Sequence, residues 1–171
     1  MKKVHLKKIN INRISKEYET WMNDWEIIKF TEQRFKKTSI KDIKNYLKKI
    51  NNSKSDFIYG IYIKDRKNDI HIGNIKIGSI NFYHKRAEIS YFIGNKFFWN
   101  KGVGKKAINL ILNIAKNKFK MKKIIAGVYS LNRSSINVLL SNGFKKEATL
   151  KSHIVFNNKR YNSYIYGYVF R

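Results

Sequence analysis

The chain has 171 residues, 43% of them hydrophobic, which is the size of one domain with a substantial core. It contains no cysteine, which excludes disulfides and cysteine-based metal sites, and no apolar run approaches the roughly 20 residues that span a bilayer. The basic N-terminus has no apolar signal segment after it, so we expect a single domain over residues 1–171 in the cytoplasm, with no metal site and no membrane partner.

The formal net charge of +26 has two interpretations. Clustered Lys and Arg side chains bind phosphates, which would indicate an anionic partner. Only seven of the 37 basic residues are Arg, however, and the Lys residues are spread along the whole chain. Abundant Lys, Asn and Ile without Pro is also the pattern that an AT-rich coding sequence produces. Compositional drift is the simpler explanation, and an anionic partner, either DNA or a nucleotide-linked sugar, is left open.

Hydrophobic periodicity predicts a mixed chain in the order β-α-α-β-β-β-α-β-α-β-β. The first strand is predicted at residues 5–9, and Ser15 is a suitable N-cap for a helix that runs to about Asn23. A second helix is predicted from Thr38 or Ser39 to about residue 50, because apolar residues there recur at the spacing of one buried helical face.

The middle of the chain reads as three strands, at residues 56–64, 71–82 and 86–93, joined by short turns at residues 66–69 and 83–85. A loop at residues 99–104 then precedes a strong helix that ends near residue 119. The predicted remainder is a strand at 124–129, a helix at 132–141, and two strands from residue 144 onward with a turn at 157–158.

The loop at residues 99–104 has the features of an anion site. It lies between a predicted strand and a predicted helix, and Gly102 and Gly104 would let an anion approach the unpaired amides of the first helical turn. Lys101 and Lys105 add positive charge at the same point. The spacing matches neither the Gly-x-x-x-x-Gly-Lys-Ser/Thr loop nor the Gly-x-Gly-x-x-Gly fingerprint. A diphosphate fits this pattern, and so do glycines that serve only a tight turn.

Two segments resemble the motifs of the GNAT superfamily of acetyltransferases. The first is Ala-Glu-Ile-Ser-Tyr-Phe-Ile at residues 87–93, followed by Phe-Trp-Asn-Lys-Gly-Val-Gly-Lys at residues 98–105. The second joins Asn-Arg-Ser-Ser at residues 132–135 to Gly-Phe at residues 143–144. The first is most similar to the branch that acetylates ribosomal-protein N-termini. The resemblance covers about residues 4–170.

This resemblance implies a fold and a cofactor. The fold is α+β (mixed α/β), with a central twisted, mostly antiparallel sheet, a splayed central strand pair and about four flanking helices. The cofactor is acetyl-CoA, whose pyrophosphate would be bound by backbone amides from Lys101 to Lys105. The implied cofactor loop consists of Trp99, Asn100, Lys101, Gly102, Val103, Gly104 and Lys105.

The resemblance also implies how the pantetheine arm is held. The strand edge at Tyr91, Phe92 and Ile93 would pair with the arm, because the two central strands of this family separate there. Asn132 would hydrogen-bond to pantetheine, although an Asn at this position is also a good helix N-cap. Ser135 would lie near the sulfur.

Amide formation needs a neutral amine, and removing the proton from a Lys-like amine at pH 7 costs about 4.6 kcal/mol. A general base is therefore expected, and the resemblance makes Glu88 the candidate, with an ion pair to a neighbouring Lys or Arg as the alternative. Many relatives carry a Tyr acid four residues before the Gly-Phe, where this chain has Leu139. That departure leaves Ser135, or the proton of the amine itself, to neutralise the thiolate.

The segment at residues 21–35, dense in aromatic and charged side chains, is the predicted acceptor site. It resembles a variant found in transferases encoded with surface-polysaccharide genes, which act on nucleotide-linked amino sugars. Arg34 could face a diphosphate, and Asp24 or Glu32 an amine or hydroxyl. Core packing and helix capping are the alternative explanation. The predicted substrate residues are Trp21, Asp24, Glu32, Arg34, His153 and Tyr164.

These features predict an N-acetyltransferase that acts by direct attack in a ternary complex. The expected acceptor is a small-molecule amine, preferably an anionic amino sugar on a nucleotide, with a protein or peptide N-terminus as the alternative. A polyamine is disfavoured, because a chain of this charge repels a polycation unless its cleft is locally acidic. The non-enzyme alternative, a basic nucleic-acid-binding domain, rests on charge alone, so no nucleic-acid partner is expected. A homodimer is left open.

Overall fold

A computed structural model describes residues 3–65 and 68–171 of the protein. In that part of the chain seven strands form one sheet: β1 (Val4–Lys8), β2 (Phe57–Asp65), β3 (Asn68–Asn81), β4 (Arg86–Ile93), β5 (Lys123–Tyr129), β6 (Lys145–Phe156) and β7 (Lys159–Val169). The helices are α1 (Lys16–Trp21), α2 (Trp25–Ile28), α3 (Ile40–Asn51), α4 (Val103–Asn117) and α5 (Arg133–Ser141). Short 3-10 turns lie at Ile11–Arg13, Glu32–Phe35 and Lys96–Phe98.

The strands follow the order β1-β2-β3-β4-β5-β7-β6 across the sheet. Neighbouring strands are antiparallel except β4 and β5, which are parallel because α4 crosses over between them. The predicted fold class, a mostly antiparallel sheet with flanking helices, is therefore confirmed.

The parallel pair is short. β4 and β5 are in register for only three residues, from Arg86 opposite Lys123 to Glu88 opposite Ile125. Beyond Glu88 the two strands separate, while β4 stays paired with β3 as far as Ile93. One edge of β4 is thus left without a neighbouring strand in the centre of the sheet, which is the predicted splay.

Two hydrophobic clusters cover opposite faces of the sheet. The larger contains the inner side of α4, where Ala107, Ile108 and Ile111 are fully buried against sheet residues such as Ile75 and Ile124. The smaller lies under α1 and α3 and is built on Tyr18, Trp21, Ile43 and Leu47. The alternation of strand side chains explains this division, since Tyr91 packs on the first cluster and Phe92 on the second.

The predicted helix starts agree with the caps that the structure contains. Ser15 accepts a hydrogen bond from the Tyr18 amide, and Ser39 forms a capping box with Asp42. Asn132 caps α5 by accepting from the Ser135 amide at 3.1 Å. No described helix is long and apolar enough to cross a membrane.

The structure adds elements that the sequence did not predict and moves the start of β3 by three residues, the largest shift of a strand boundary. α2 and the three 3-10 turns were missed, because four residues or fewer are too short to show a helical period. β3 begins at Asn68 rather than residue 71, since its ladder with β2 continues to the Asp65–Asn68 pair. Of the turn predicted at residues 66–69, residues 66 and 67 lie outside the described residues.

Candidate active site

A cavity of about 660 Å³ occupies the space where β4 and β5 separate. Residues 89–92 of β4 line one side and residues 126–129 of β5 line the other. Residues 27–33 before α3 form one wall, α5 another, and β6 and β7 close the far side through residues that include His153, Ile154 and Ser163. The lining of the cavity therefore includes side chains from both faces of the sheet.

The N-terminus of α4 has the features of an anion-binding site. Gly102 is the N-cap residue, has φ of 71°, and contributes no side-chain cap. The first hydrogen bond of the helix runs from the Lys106 amide to the Gly102 carbonyl, and the amides of Val103, Gly104 and Lys105 have no partner among the described residues. Unpaired amides at a helix N-terminus attract negative charge, as does the helix dipole.

The loop before this helix is held in place by its own side chains. The Trp99 indole Nε1 donates to the carbonyl oxygen of Ile93 at 2.8 Å, which ties the loop to the end of β4. Asn100 adopts a positive φ of 57°. The Lys101 ammonium group lies 3.4 Å from the centroid of the Phe97 ring. Trp99 thus acts on the shape of the loop, a role that was not predicted from the sequence.

Three residues that were predicted to lie near the cofactor line the same part of the cavity. Tyr91, Asn132 and Ser135 all line it, and the Tyr91 hydroxyl donates to Ser135 Oγ at 3.4 Å. Burial raises the pKa of Tyr91, and the hydrogen bond with Ser135 offsets this only in part. A Cβ at Gly104 would lie 3.4 Å from the Tyr91 ring, an ordinary van der Waals distance, so the start of α4 packs beside Tyr91.

Two of the six predicted substrate residues line the cavity. Glu32 accepts a hydrogen bond from the Tyr129 hydroxyl, and burial together with this carboxylate raises the pKa of Tyr129 to about 12. His153 Nδ1 lies 2.7 Å from Ser163 Oγ, and Ser163 is buried. Glu32 therefore fastens the segment before α3 to the end of β5.

The structure places Trp21 and Asp24 elsewhere, which corrects the expectation for both. Trp21 is buried in the smaller cluster, with its ring 5.2 Å from that of His71 and in close contact with Gly94. Asp24 caps α2 by accepting from the Glu26 amide and forms an ion pair with Lys96 at 2.6 Å. The alternative of packing and capping describes both residues.

Arg34 and Tyr164 are also absent from the cavity lining. Arg34 donates to the carbonyl oxygens of Lys29 at 3.2 Å and Val155 at 2.7 Å. Its guanidinium group also lies over the rings of Tyr129 and Phe156, so its two terminal nitrogens contact the fold, while Nε has no hydrogen-bond partner among the described residues. Tyr164 is covered by the ammonium group of Lys146, 4.6 Å from the ring centroid.

Glu88, the predicted base, lies at the closed end of the splay. It is the last β4 residue in register with β5, its side chain is exposed, and it does not line the cavity. No ion pair to Glu88 is found in the described residues. Both the base and the ion-pair interpretation therefore lack a direct contact here. The carboxylates that do line the cavity are Glu32 and Asp42.

Several polar residues on the face covered by α1 and α3 line the cavity but were not predicted from the sequence to do so. Tyr18 and Asn74 are 3% and 2% exposed, yet both line the cavity. Lys76 lies on the same strand face and forms an ion pair with Asp56 at 2.7 Å, which helps to hold the pKa of Asp56 at about 2. An Asn inside an Ile-rich strand was the one available signal for this polar face.

Comparisons with known proteins agree with this geometry. A family model described as an acetyltransferase (GNAT) domain matches residues 6–145. The uncharacterized N-acetyltransferase YoaA of Bacillus subtilis (strain 168) is 31% identical over 98 residues, and the match covers 54% of this chain. The chain spans about half the length of that curated relative, with 55% of it covered.

Solved structures share the whole architecture. A spermidine N-acetyltransferase from Vibrio cholerae in complex with CoA and spermine superposes with a TM-score of 0.82 at 18% identity, covering 97% of this chain and 95% of that one. The microcin C7 self-immunity acetyltransferase MccE in complex with acetyl-CoA and AMP gives a TM-score of 0.82 at 22% identity, with 98% and 92% covered. At these identities the likeness concerns the fold.

Proposed function

The chain belongs to the GNAT acetyltransferase family, whose members use acetyl-CoA, and from this premise we propose that it N-acetylates a small primary amine. The observation that carries the proposal is the open edge of β4 beside a helix N-terminus with three unpaired amides. Together they offer one site for an extended amide-bearing arm and one for its diphosphate.

The donor side of the proposal follows from these groups. The amides of Val103, Gly104 and Lys105 bind the pyrophosphate, and the open edge of β4 at residues 91–93 pairs with the pantetheine arm. Asn132, which already caps α5 through Oδ1, has its amide nitrogen available for the same arm. Acetyl-CoA supplies the activated thioester.

The reaction forms one bond and breaks one. The amine nitrogen bonds to the thioester carbonyl carbon, the carbon–sulfur bond breaks, the nitrogen loses a proton and the sulfur gains one. We infer that Ser135 donates that proton and the Tyr91 hydroxyl returns one to Ser135, while the proton released by the amine nitrogen reaches Tyr91 through water and restores its neutral form, which burial favours. Glu88 does not line the cavity, so its proposed role as base requires intervening water.

The acceptor reaches the thioester from the face covered by α1 and α3. Asn74, Lys76 and Ser90 line that part of the cavity, across the sheet from Tyr91 and Ser135. The net charge of +26 favours an anionic amine over a polycation, which supports an amino sugar carried on a nucleotide. The spermidine substrate belongs to a structural neighbour that shares the fold at 18% identity.

A panel of amines tests this assignment. Release of the CoA thiol is followed with nucleotide-linked amino sugars, peptides with free N-termini, and polyamines, all at the same ionic strength. We expect the highest kcat/KM with the amino sugars. Activity confined to peptides or to polyamines contradicts the amino-sugar proposal while retaining the acetyltransferase, and no thiol release with any amine contradicts both.

A further inference from the structure

Asn74 has an unused hydrogen-bond donor in the acceptor part of the cavity. It lies in the middle of β3, is 2% exposed and lines the cavity. Its Oδ1 is 2.9 Å from His71 Nε2, whereas its Nδ2 has no hydrogen-bond partner among the described residues. Buried polar groups are almost always paired in folded proteins, so an unpaired one that faces a cavity marks the position of a ligand atom.

The orientation of the Asn74 amide is fixed by His71. Because Oδ1 accepts from His71, Nε2 carries the proton and Nδ2 must point away from the imidazole. The imidazole is itself immobilised, stacked on Tyr62 at 4.9 Å between ring centroids and flanked edge-on by Tyr18 and Trp21. Burial lowers the pKa of His71, and the hydrogen bond with Asn74 offsets this only in part.

The register between β3 and β4 puts Asn74 close to the open edge of β4. Asn74 is directly opposite Phe92 in the β3–β4 ladder, so their side chains lie on the same face of the sheet. The open edge of β4 is therefore one strand away, about 4.8 Å in the hydrogen-bonding direction. Tyr18 lies on the same face, and its hydroxyl is close enough to the Asn74 amide for that amide to offset part of the rise that burial causes in the pKa of Tyr18.

We propose that Asn74 is a specificity-determining residue, whose Nδ2 donates a hydrogen bond to an oxygen atom close to the amine of the acceptor. The inference rests on the proposed function and narrows its substrate class. A protonated polyamine offers only donors to Asn74 and leaves Nδ2 unpaired. Amines that carry a neighbouring hydroxyl or carbonyl oxygen satisfy it, and His71 acts as the positioning residue.

Matched amine pairs test the inference. Glucosamine is compared with cyclohexylamine for a hydroxyl oxygen, and glycinamide with propylamine for a carbonyl oxygen, by kcat/KM at saturating acetyl-CoA. Each value is expressed per concentration of neutral amine, because the two members of a pair differ in amine pKa. The wild-type protein is expected to prefer the oxygen-bearing member of at least one pair by tenfold or more, and the pair that shows the preference identifies the oxygen.

Two variants examine Asn74 itself. Asn74→Ala removes the donor, and Asn74→Asp replaces it by an acceptor while preserving the shape and the bond from His71. Each is expected to reduce the preference ratio at least tenfold. His71→Leu should reduce it as well, whereas His71→Gln, whose amide can donate to Oδ1, should restore it. If His71 had only a structural role, its replacement would lower kcat/KM for both members of a pair and leave their ratio unchanged.

The outcomes separate this inference from the proposed function. Equal kcat/KM within both pairs, or an unchanged ratio in Asn74→Asp, overturns the role of Asn74 while the acetyltransferase assignment stands. Absence of thiol release with all four amines and with the nucleotide-linked amino sugars overturns the proposed function, and the Asn74 inference with it.

Discussion

At the scale of single residues, the chemistry of the cavity depends on how few polar groups are left free. Glu32 is bonded to Tyr129, Arg34 to two carbonyl oxygens, and Asp24 to Lys96. The first two sets of contacts support the wall of the cavity, whereas the Asp24–Lys96 pair lies outside it. Fewer groups face the cavity with hydrogen-bonding capacity to spare, and the half-buried Ser135 and the buried Asn74 are the most informative.

The first prediction concerns Ser135 and Tyr91. Ser135→Ala and Tyr91→Phe should each lower kcat by about 10- to 100-fold, with little change in KM for acetyl-CoA, because the hydroxyls act in proton transfer. Steady-state kinetics of thiol release measure this. The double variant should lose little more than either single one, since the two groups act in series.

The pH dependence follows from the same pair. The pKa of Tyr91 is raised, so the neutral form that donates the proton persists to a higher pH than for an exposed tyrosine. We therefore expect no fall in kcat from Tyr91 ionisation below about pH 10. If Ser135→Ala and Tyr91→Phe both retained the wild-type kcat, the proton that neutralises the thiolate would instead come from the amine.

At the scale of elements, the segment from α2 to the 3-10 turn at Glu32–Phe35 forms one wall of the acceptor cavity. It is attached to the tip of the β6–β7 hairpin by the bond from Arg34 to the Val155 carbonyl and by the Trp25–Phe156 stack, 5.9 Å between centroids. The position of this wall therefore depends on contacts across 121 residues of chain.

Replacing Arg34 by Met tests that attachment. Loss of two charge-assisted hydrogen bonds should destabilise the protein by about 1–3 kcal/mol and accelerate amide hydrogen exchange in residues 29–38. We expect KM for the amine to rise more than KM for acetyl-CoA. Arg13→Met, the same change at an exposed position, is the control and should alter neither. Equal exchange rates in the two variants would contradict a fastening role for Arg34.

The elements themselves could be predicted from the sequence, whereas much of the acceptor site could not. Three helix starts could be predicted because Ser15, Ser39 and Asn132 are N-cap residues. Their side chains accept hydrogen bonds from amides three residues further along, which requires no tertiary contact. The fate of Arg34 depends on Val155, far away in the chain. Asn74 faces the cavity because of the register between β3 and β4, which strand alternation alone does not specify.

At the scale of the whole molecule, the parallel pairing of β4 and β5 ends after three residues, and that interruption creates the site. The separated strands expose one edge of β4 between two hydrophobic clusters that hold the sheet rigid on both faces. α4 crosses over between the two strands, so its N-terminus, with three unpaired amides, lies beside the same opening. The proposed sites for the pantetheine arm and for the pyrophosphate of acetyl-CoA are therefore neighbours in the fold.

Isothermal titration of the purified protein with acetyl-CoA tests this account most directly, with S-acetyl-pantetheine, which lacks the pyrophosphate, as the matched ligand. The account predicts saturable one-to-one binding of acetyl-CoA, at least tenfold tighter than that of the truncated ligand and weakened by added salt. Gly102→Val, which cannot adopt φ of 71° without strain, should weaken acetyl-CoA binding more than Gly102→Asn. No binding at millimolar acetyl-CoA, or equal affinity for the two ligands, would contradict it.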